Sequence, residues 1–583
     1  MKTKLKKVLS LVIAAGLCLE SCSLLEPEND NHNTLKRVYD DPAFAEGLLV
    51  TAYTLIPTND YRFDDVATDD AVSNDRFNNY LRMATGEWSA NFNPQNLWDN
   101  CNRAILYINQ FLSVVDSVPW KWTNPDISAL YRRKFKGESY ALRGLFKYFL
   151  LQNHGGPNGN GQLLGTPVYD EFLTSEEQFA IPRADFQTFV NSANADFEAA
   201  LTYLPLDYGN VGTPPAGFEN TDVDHYNEVF GDFSQQRMSG RHVLAMRARL
   251  ALLTASPAFN PNNDRVAWEN AANEFATLLN PMGGPSGLDP TGHHFYLKAQ
   301  VDEADITTGN RQDLQEILWR RPIYNNNARE ADHFPPSLYG RGRLNPTQNL
   351  VDAFPMLNGF PIDDPNSNYD ETHPYENRDP RLSLYIICNG STLKGKTINT
   401  GVSGGEDGLD NQQTSTRTGY YLKKLLREDV NVDPASPSNQ KHFNTHIRYT
   451  ELFLSFAEAA NEAWGPDGNS AGFSARDVIA AIRKRAGIVQ PDVFLSSINS
   501  KEEMRTLIRN ERRLELCFEG FRFWDLRRWK EDLTEPARGV RIEGNNYSYF
   551  NVEPRSYNNN YMHYGPIPQT EVVKFGFEQN NGW

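Results

Sequence analysis

The chain has few cysteines, five among its 583 residues. The three that follow Cys22 are an odd number and are not spaced like zinc ligands, so the sequence predicts neither a disulfide framework nor a zinc site. Long hydrophobic runs are also missing. No window holds the roughly 18 consecutive apolar residues that a membrane-spanning helix requires, so no such helix is predicted.

Positive charge is scarce as well. Lysine and arginine number 57 against 74 aspartate and glutamate residues, a formal net charge of −17. Because an acidic chain as a whole repels polyanions, we do not expect nucleic acid or anionic lipid surfaces to be partners. The sequence also lacks a nucleophile elbow, a phosphate-binding loop, an HExxH helix and a dinucleotide fingerprint, which removes the commonest enzyme signatures.

The N-terminus has the pattern of an export signal. Four lysines precede the apolar run Val8–Leu19, which at about twelve residues is too short to cross a bilayer. Leu19 and Ser21 stand before Cys22 as they do in bacterial lipoprotein signals. We predict that residues 1–21 are a cleaved lipoprotein signal peptide and that acylated Cys22 anchors the protein to a membrane. An ordinary secretory signal is the alternative.

Helical periodicity comes in groups after a polar tether at residues 22–40. In "GESYALRGLFKYFLL", Leu142, Leu145, Phe146 and Phe149 fall on one helical face. Similar stripes recur up to about residue 280 and return in "HIRYTELFLSFAEAANEAWG", "SARDVIAAIRKRAGI" and "KEEMRTLIRNERRLELCFEGFRFWDLRRW". Such helices must stack in pairs, in the manner of tetratricopeptide repeats, to bury their apolar faces.

The middle of the chain, about residues 281–440, reads differently. Glycine, proline, asparagine and aspartate are dense there, and the aromatic residues are irregularly spaced. This pattern predicts loops, short helices and a few strands, such as "EILWRRPIY" and "YYLKKLL".

An ordered set of segments resembles a known family. The set includes "GESYALRGLFKYFLLQNHGG", "IPRADFQTFVNSANADFEAALTYLP", "SGRHVLAMRARLALLTASPAFN", "NPTQNLVDAFPMLNGFPI", "YENRDPRLSLYI", "ERRLELCFEGFRFWDLRRW" and the terminal "FEQNNGW". Together they resemble the SusD-like (RagB/SusD) outer-membrane lipoproteins, which bind glycans as partners of SusC-like TonB-dependent transporters. Glu26, Glu28 and Asp30 resemble the family's signal for export to the cell surface, so the resemblance implies the outer leaflet, facing the medium.

The resemblance also implies the architecture. We expect a mainly α fold in which tetratricopeptide-type helix pairs form a right-handed superhelical scaffold packed against an irregular, loop-rich part with a few short strands. Residues 41–583 would form a single domain. The scaffold would lie mainly at about 94–280 and 446–530, and the ligand-binding part mainly at about 55–93 and 281–440.

The most charged motif, "RRLELCFEGFRFWDLRRW", invites a catalytic interpretation through its carboxylates. Glu511 and Glu515 lie one helical turn apart beside Arg512 and Arg513, so ion pairs would hold the carboxylates ionised rather than create a general acid. We predict a structural network that also includes Glu519 and Asp525, a turn fixed by hydrogen bonds in "NRDPRL", and no catalytic residues.

No cofactor is predicted. The segment from Asp364 resembles a calcium loop in Asp364, Asn366, Asn368 and Asp370. It has tyrosine at position 369, where the loop needs glycine, and at position 375, where it needs a bidentate glutamate, so a structural calcium ion is conceivable there but not predicted.

Sugar binding needs exposed rings that stack on the apolar face of a pyranose and polar groups that satisfy its hydroxyls. We therefore looked for rings in irregular segments. The candidate ligand-binding residues are Trp98, Tyr296, Tyr339, Trp319, Tyr324, Trp88, Asp70 and Asn102. Each has a structural alternative: Trp98 could staple a helix, and Trp319, inside an apolar run, could belong to the core.

These observations favour a non-catalytic binding lipoprotein that captures a glycan for a transporter. Capture of peptides or another nutrient by the same architecture is an alternative, for which a deep charged pocket would be the sign. A lipid-anchored glycoside hydrolase is a third, but nothing in the sequence places two carboxylates together in a cleft.

Overall fold

The computed structural model describes residues 40–57, 63–304 and 313–583. The predicted signal peptide and the lipidation site at Cys22 lie outside these ranges, as does nearly all of the predicted tether. None of the helices in the described ranges is both long and apolar enough to cross a bilayer.

The longest helix, Pro125–His154, shows why these segments are helical. The Asn124 side chain accepts hydrogen bonds from the backbone N–H groups of residues 126 and 127, and proline takes the first position, where no N–H is needed. Leu142, Leu145 and Phe146 are buried, as the periodicity predicts. Phe149, at the edge of the stripe, is only partly buried.

Helices dominate the chain, and the predicted mainly α fold is confirmed. In chain order the α-helices are α1 (Pro42–Thr54), α2 (Asn79–Arg82), α3 (Trp98–Val114), α4 (Pro125–His154), α5 (Phe186–Tyr203), α6 (Val223–Phe230), α7 (Gly240–Ala255), α8 (Arg265–Leu279), α9 (Lys298–Glu303), α10 (Ala328–His333), α11 (Gln348–Ala353), α12 (Pro380–Tyr385), α13 (Tyr449–Trp464), α14 (Ala475–Ala486), α15 (Val493–Ser497), α16 (Lys501–Glu515), α17 (Arg522–Trp529) and α18 (Gln569–Phe575).

Neighbouring helices pack as pairs. Helix α4 packs against α3 and α5, α7 packs against α8, and α13 contacts α8, α14 and α16. Small residues allow close approach: a methyl group at Gly144 of α4 would come within 2.6 Å of the Phe197 ring of α5. On α13, Ala457, Ala459 and Ala460 are fully buried. The helical segments therefore build one continuous hydrophobic core.

The strands are short and form two-stranded antiparallel pairs. The pairs are β1 (Ala71–Ser73) with β6 (Leu344–Pro346), β2 (Gly156–Pro157) with β3 (Leu163–Leu164), β4 (Ile317–Arg320) with β12 (Thr445–Arg448), β5 (Tyr324–Asn326) with β11 (Gln440–His442), β7 (Ile386–Ile387) with β10 (Tyr421–Leu422), β8 (Thr392–Leu393) with β9 (Lys396–Thr397), and β13 (Ala537–Glu543) with β14 (Asn546–Glu553). Around them the irregular segments build a second hydrophobic core.

A buried ion network lies where the irregular part meets the helices. Arg381 of α12 contacts Asp379 at 2.7 Å, Glu511 of α16 at 2.8 Å and Glu515 of α16 at 3.2 Å, and all four side chains are fully buried. Burial alone would raise the pKa of Glu515, but Arg485, Arg448 and Arg381 lower it well below its usual range. The charged motif is therefore structural, as predicted.

The predicted partners within this network are wrong. Arg512 pairs with Asp525 at 2.7 Å, and Arg513 reaches Asp69 and Asp70 instead of the glutamates of its own helix. The glutamates contact arginines of other elements because one face of α16 lies against α12 and α14. Glu511, for example, contacts Arg483 of α14 at 2.8 Å.

Replacing Arg381 with methionine tests how much this network contributes to the stability of the fold. Arg381→Met keeps an unbranched side chain but removes the cation that three buried carboxylates share, so we expect the free energy of unfolding to fall by about 3–5 kcal/mol. Urea denaturation followed by circular dichroism measures the loss.

The control is Arg541→Met. Arg541 pairs with Glu543 at 2.7 Å, but both side chains are more than half exposed. We expect a change of about 1 kcal/mol or less. Equal losses in the two variants would contradict a special role for the buried network.

Candidate functional site

An open cleft of about 880 Å³ lies in the irregular part of the protein. Its walls come from the turn after β1, from the segment that runs through β5 and α10, and from the residues just before β6. The volume falls within the range of small-molecule binding sites.

One wall of the cleft is a hydrogen-bonded cluster around Tyr324. The Tyr324 ring stacks on His442, the residue that faces it across the β5–β11 pair, with ring centroids 5.7 Å apart. Arg329 of α10 donates to the Tyr324 hydroxyl and to Oδ1 of Asn444, both at 2.7 Å. A third bond, to the backbone carbonyl of Leu425, fixes the guanidinium further. The polar groups of this wall are therefore held in place before any ligand arrives.

Another part of the lining carries two arginines that lie close to aspartates. Arg341 contacts Asp332 at 2.9 Å, and Arg343 lies 3.7 Å from Asp75. The β1–β6 pair sets the second contact, because it aligns Ser73 with Leu344 and so brings the turn after β1 alongside Arg343. The arginine and aspartate side chains of both contacts are partly exposed to solvent.

His333, the last residue of α10, also lines the cleft but is itself buried. Its ring packs edge-on against Phe63, with centroids 4.3 Å apart. Burial lowers the pKa of His333 to about 3, and the nearby Arg329 and Arg343 act in the same direction. The imidazole is therefore neutral at ordinary pH, and its Nδ1 has no hydrogen-bond partner among the described residues.

A second recess of about 560 Å³ adjoins the cleft, and the two share Asp75. Phe77 stands at this recess with 87% of its surface exposed. The Asp75 carboxylate accepts a hydrogen bond from the backbone N–H of Phe77, which fixes the turn that presents the ring. Gln412 and Gln413 supply exposed amides beside it. An exposed ring flanked by amides suits a ligand that has one apolar face and a polar rim.

The predicted site residues divide into three groups. Tyr324 lines the cleft. Tyr339 is exposed, as predicted, but it is not among the residues that line the cleft or the recess. Asn102 is half-buried, and its side-chain amide is used within α3, where it donates to the backbone carbonyl of Trp98.

For Trp98 and Trp319 the expected exposure is wrong, because both rings lie in the helical core. Trp98 packs against His154, and its indole N–H donates to Glu571. Trp319 stacks on His242 and donates to the carbonyl of Gln236. The structural alternative offered for Trp319 is the correct one.

For Trp88, Tyr296 and Asp70 the expected exposure is also wrong. Trp88 is enclosed by other aromatic rings, including Trp583 with centroids 4.7 Å apart. Tyr296 is only 5% exposed and belongs to the second core. Asp70 is fully buried, and its carboxylate forms an ion pair with Arg513.

Phe77, Arg329, Arg343 and Asn444 were not singled out from the sequence. Phe77 lies between the predicted residues Asp70 and Trp88, and its signal is a single ring among polar residues in "SNDRFNN". Asn444 has no comparable signal, because its place in the cleft follows from the pairing of β11 with β5, strands more than 100 residues apart. Among the described residues no cluster of histidine, cysteine, aspartate and glutamate could hold a metal ion.

This chain is similar to known proteins in both sequence and fold. A model of the SusD family matches residues 309–583, and a model described as "Starch-binding associating with outer membrane" matches residues 24–216. The SusD-like protein P38 of Formosa agariphila is 38% identical over 462 residues, which cover 76% of this chain and 74% of P38.

Two crystal structures from Bacteroides fragilis have the same fold. One is a SusD-like protein, 22% identical, with a TM-score of 0.70 and coverage of 94% of this chain and 98% of that chain. The other is a SusD-like carbohydrate binding protein, 19% identical, with a TM-score of 0.67 and coverage of 92% and 99%. The extent and identity of the match to P38, together with the two family matches, show that this chain belongs to the SusD family.

Proposed function

We propose that this protein captures a glycan in the cleft and the adjoining recess and delivers it to a SusC-like TonB-dependent transporter. The observation that carries the proposal is the exposed Phe77 ring beside a cleft whose hydrogen-bonding groups are fixed in advance. The descriptions of the matching family model and of the Bacteroides fragilis relative, which name starch and carbohydrate binding, support it.

The geometry suits a pyranose chain. Phe77 offers a face on which an apolar sugar face can stack, while Arg329, Asn444 and the amides of the recess can satisfy hydroxyls. Since burying one ring face yields only a few kcal/mol at most, we expect affinities between roughly micromolar and millimolar.

We further propose that the protein leaves the glycan's bonds intact. Glu511 and Glu515 are fully buried among arginines, so these two carboxylates of the charged motif have no access to a substrate. Binding followed by handover is then the whole function.

The proposed location is the outer leaflet of the outer membrane, with acyl chains on Cys22 as the anchor. The lipoprotein pattern before Cys22 supports the anchor, and the family model's reference to the outer membrane supports the location. Anchoring would keep the cleft close to the transporter.

Peptide capture is a second candidate, and one observation favours it. The cleft is strongly charged, with arginines at positions 321, 329, 341 and 343. A deep charged pocket is the sign of a peptide site, and this open cleft shares the charge but not the depth. The exposed ring of Phe77 and the descriptions of the relatives weigh toward a glycan, and the same binding assay separates the two.

Phe77→Ala tests the site. Calorimetry of the purified protein, without residues 1–21, against a panel of neutral, uronate and sulfated oligosaccharides and acidic peptides identifies the ligand class. For a glycan that binds, we expect Phe77→Ala to weaken binding about tenfold or more, because the stacking face is lost.

Trp122→Ala is the matched control, since Trp122 is another exposed ring, 77% accessible, that lines neither the cleft nor the recess. It should leave affinity unchanged. A glycan that binds equally well to the Phe77→Ala variant would remove the proposed site, and binding of peptides but no glycan would remove the proposed function.

Cys22→Ala tests the anchor. We expect this variant to take up no radiolabelled palmitate in growing cells and to leave the membrane fraction, because the thiol that accepts the lipid is missing. Cys18→Ala, inside the apolar run, is the control and should still be labelled. Labelling of the Cys22→Ala variant would contradict the lipoprotein assignment.

A further inference from the structure

We infer that the cleft selects acidic glycans, whose uronate carboxylates or sulfate esters bind to its arginines. This inference rests on the proposed function, which it narrows from glycans in general to those that carry negative charge.

The described lining of the cleft carries more positive than negative side chains, unlike the chain as a whole. Among the described residues that line it, four are arginines, at positions 321, 329, 341 and 343, and two are aspartates, at positions 75 and 332. The complete chain has a formal charge of −17. Cations gathered in a concave surface of an acidic protein focus the electrostatic potential there and attract anionic ligands to that place.

The arginines are presented for recognition. The side chains of Arg341 and Arg343 lie beside Asp332 and Asp75 but are still 60% and 30% exposed, so a ligand in the cleft can approach both. Arg329 donates at 2.7 Å to the Tyr324 hydroxyl and to Asn444, and these bonds set its orientation in advance. A planar guanidinium fork matches the paired oxygens of a carboxylate or a sulfate, whereas a neutral hydroxyl needs no such charge.

His333 lies beside two of these arginines. Burial lowers its pKa most, and Arg329 and Arg343 lower it further, so the ring adds no positive charge of its own to the cleft.

Paired ligands that differ only in charge test this inference. Calorimetry compares oligogalacturonate with its methyl ester, and sulfated carrageenan oligosaccharides with their desulfated forms; laminarin oligosaccharides serve as a neutral reference. We expect at least one acidic form to bind about tenfold or more tightly than its neutral counterpart, because hydrogen bonds to charged groups are the stronger ones. The pair that shows the preference identifies the anionic group. Added salt should lower the affinity for the acidic form and leave the affinity for the neutral form unchanged.

The double variant Arg341→Gln/Arg343→Gln locates the preference. It should reduce the affinity for the acidic form about tenfold or more and leave that for the neutral form within about twofold. Arg341→Lys/Arg343→Lys should recover part of the loss, since it restores charge without the fork. Arg541→Gln, at an exposed arginine outside the cleft, is the control.

The outcomes separate the two proposals. If the unmodified protein binds the charged and neutral forms with equal affinity, the preference for acidic glycans is overturned. If Phe77→Ala then weakens the binding of both forms, glycan capture at this site still stands. A charge preference that survives the double glutamine variant overturns the assignment to these arginines. Binding of acidic peptides without any glycan overturns both proposals.

Discussion

Arg381 brings a full positive charge into a region from which water is excluded, and the carboxylates of Asp379, Glu511 and Glu515 meet it there. Removing such charges from water is costly, and the cost is offset only while every partner keeps its position. The guanidinium belongs to α12 in the irregular part, and two of the carboxylates belong to α16 among the helices. This constraint fixes the two parts of the protein relative to each other.

Helix α16 also links the ion network to the cleft. Arg513, on another face of α16, pairs with Asp69 and Asp70, which come just before β1. Strand β1 then pairs with β6, and the turn that follows carries Asp75 and Phe77. The proposed ligand contacts on this irregular surface are thus placed by a rigid scaffold, so the loops that carry them would not have to be ordered on binding.

The sequence predicted best what depends on local pattern. The stripe through Leu142, Leu145 and Phe146 specifies a helical face wherever that helix packs. The exposure of a ring does not follow from its neighbours in sequence: Trp319 and Tyr324 lie five positions apart, yet one is core and the other lines the cleft. That difference arises from the partners β12 and β11, which approach from more than 100 residues away.

Asp75 stands where the cleft meets the recess of Phe77. In the proposed function, a short saccharide would fill one of these spaces, and a longer one would cross the shared carboxylate. The two halves of the longer saccharide would then be held as if by tethered sites, so that its second contact would be gained at high effective concentration.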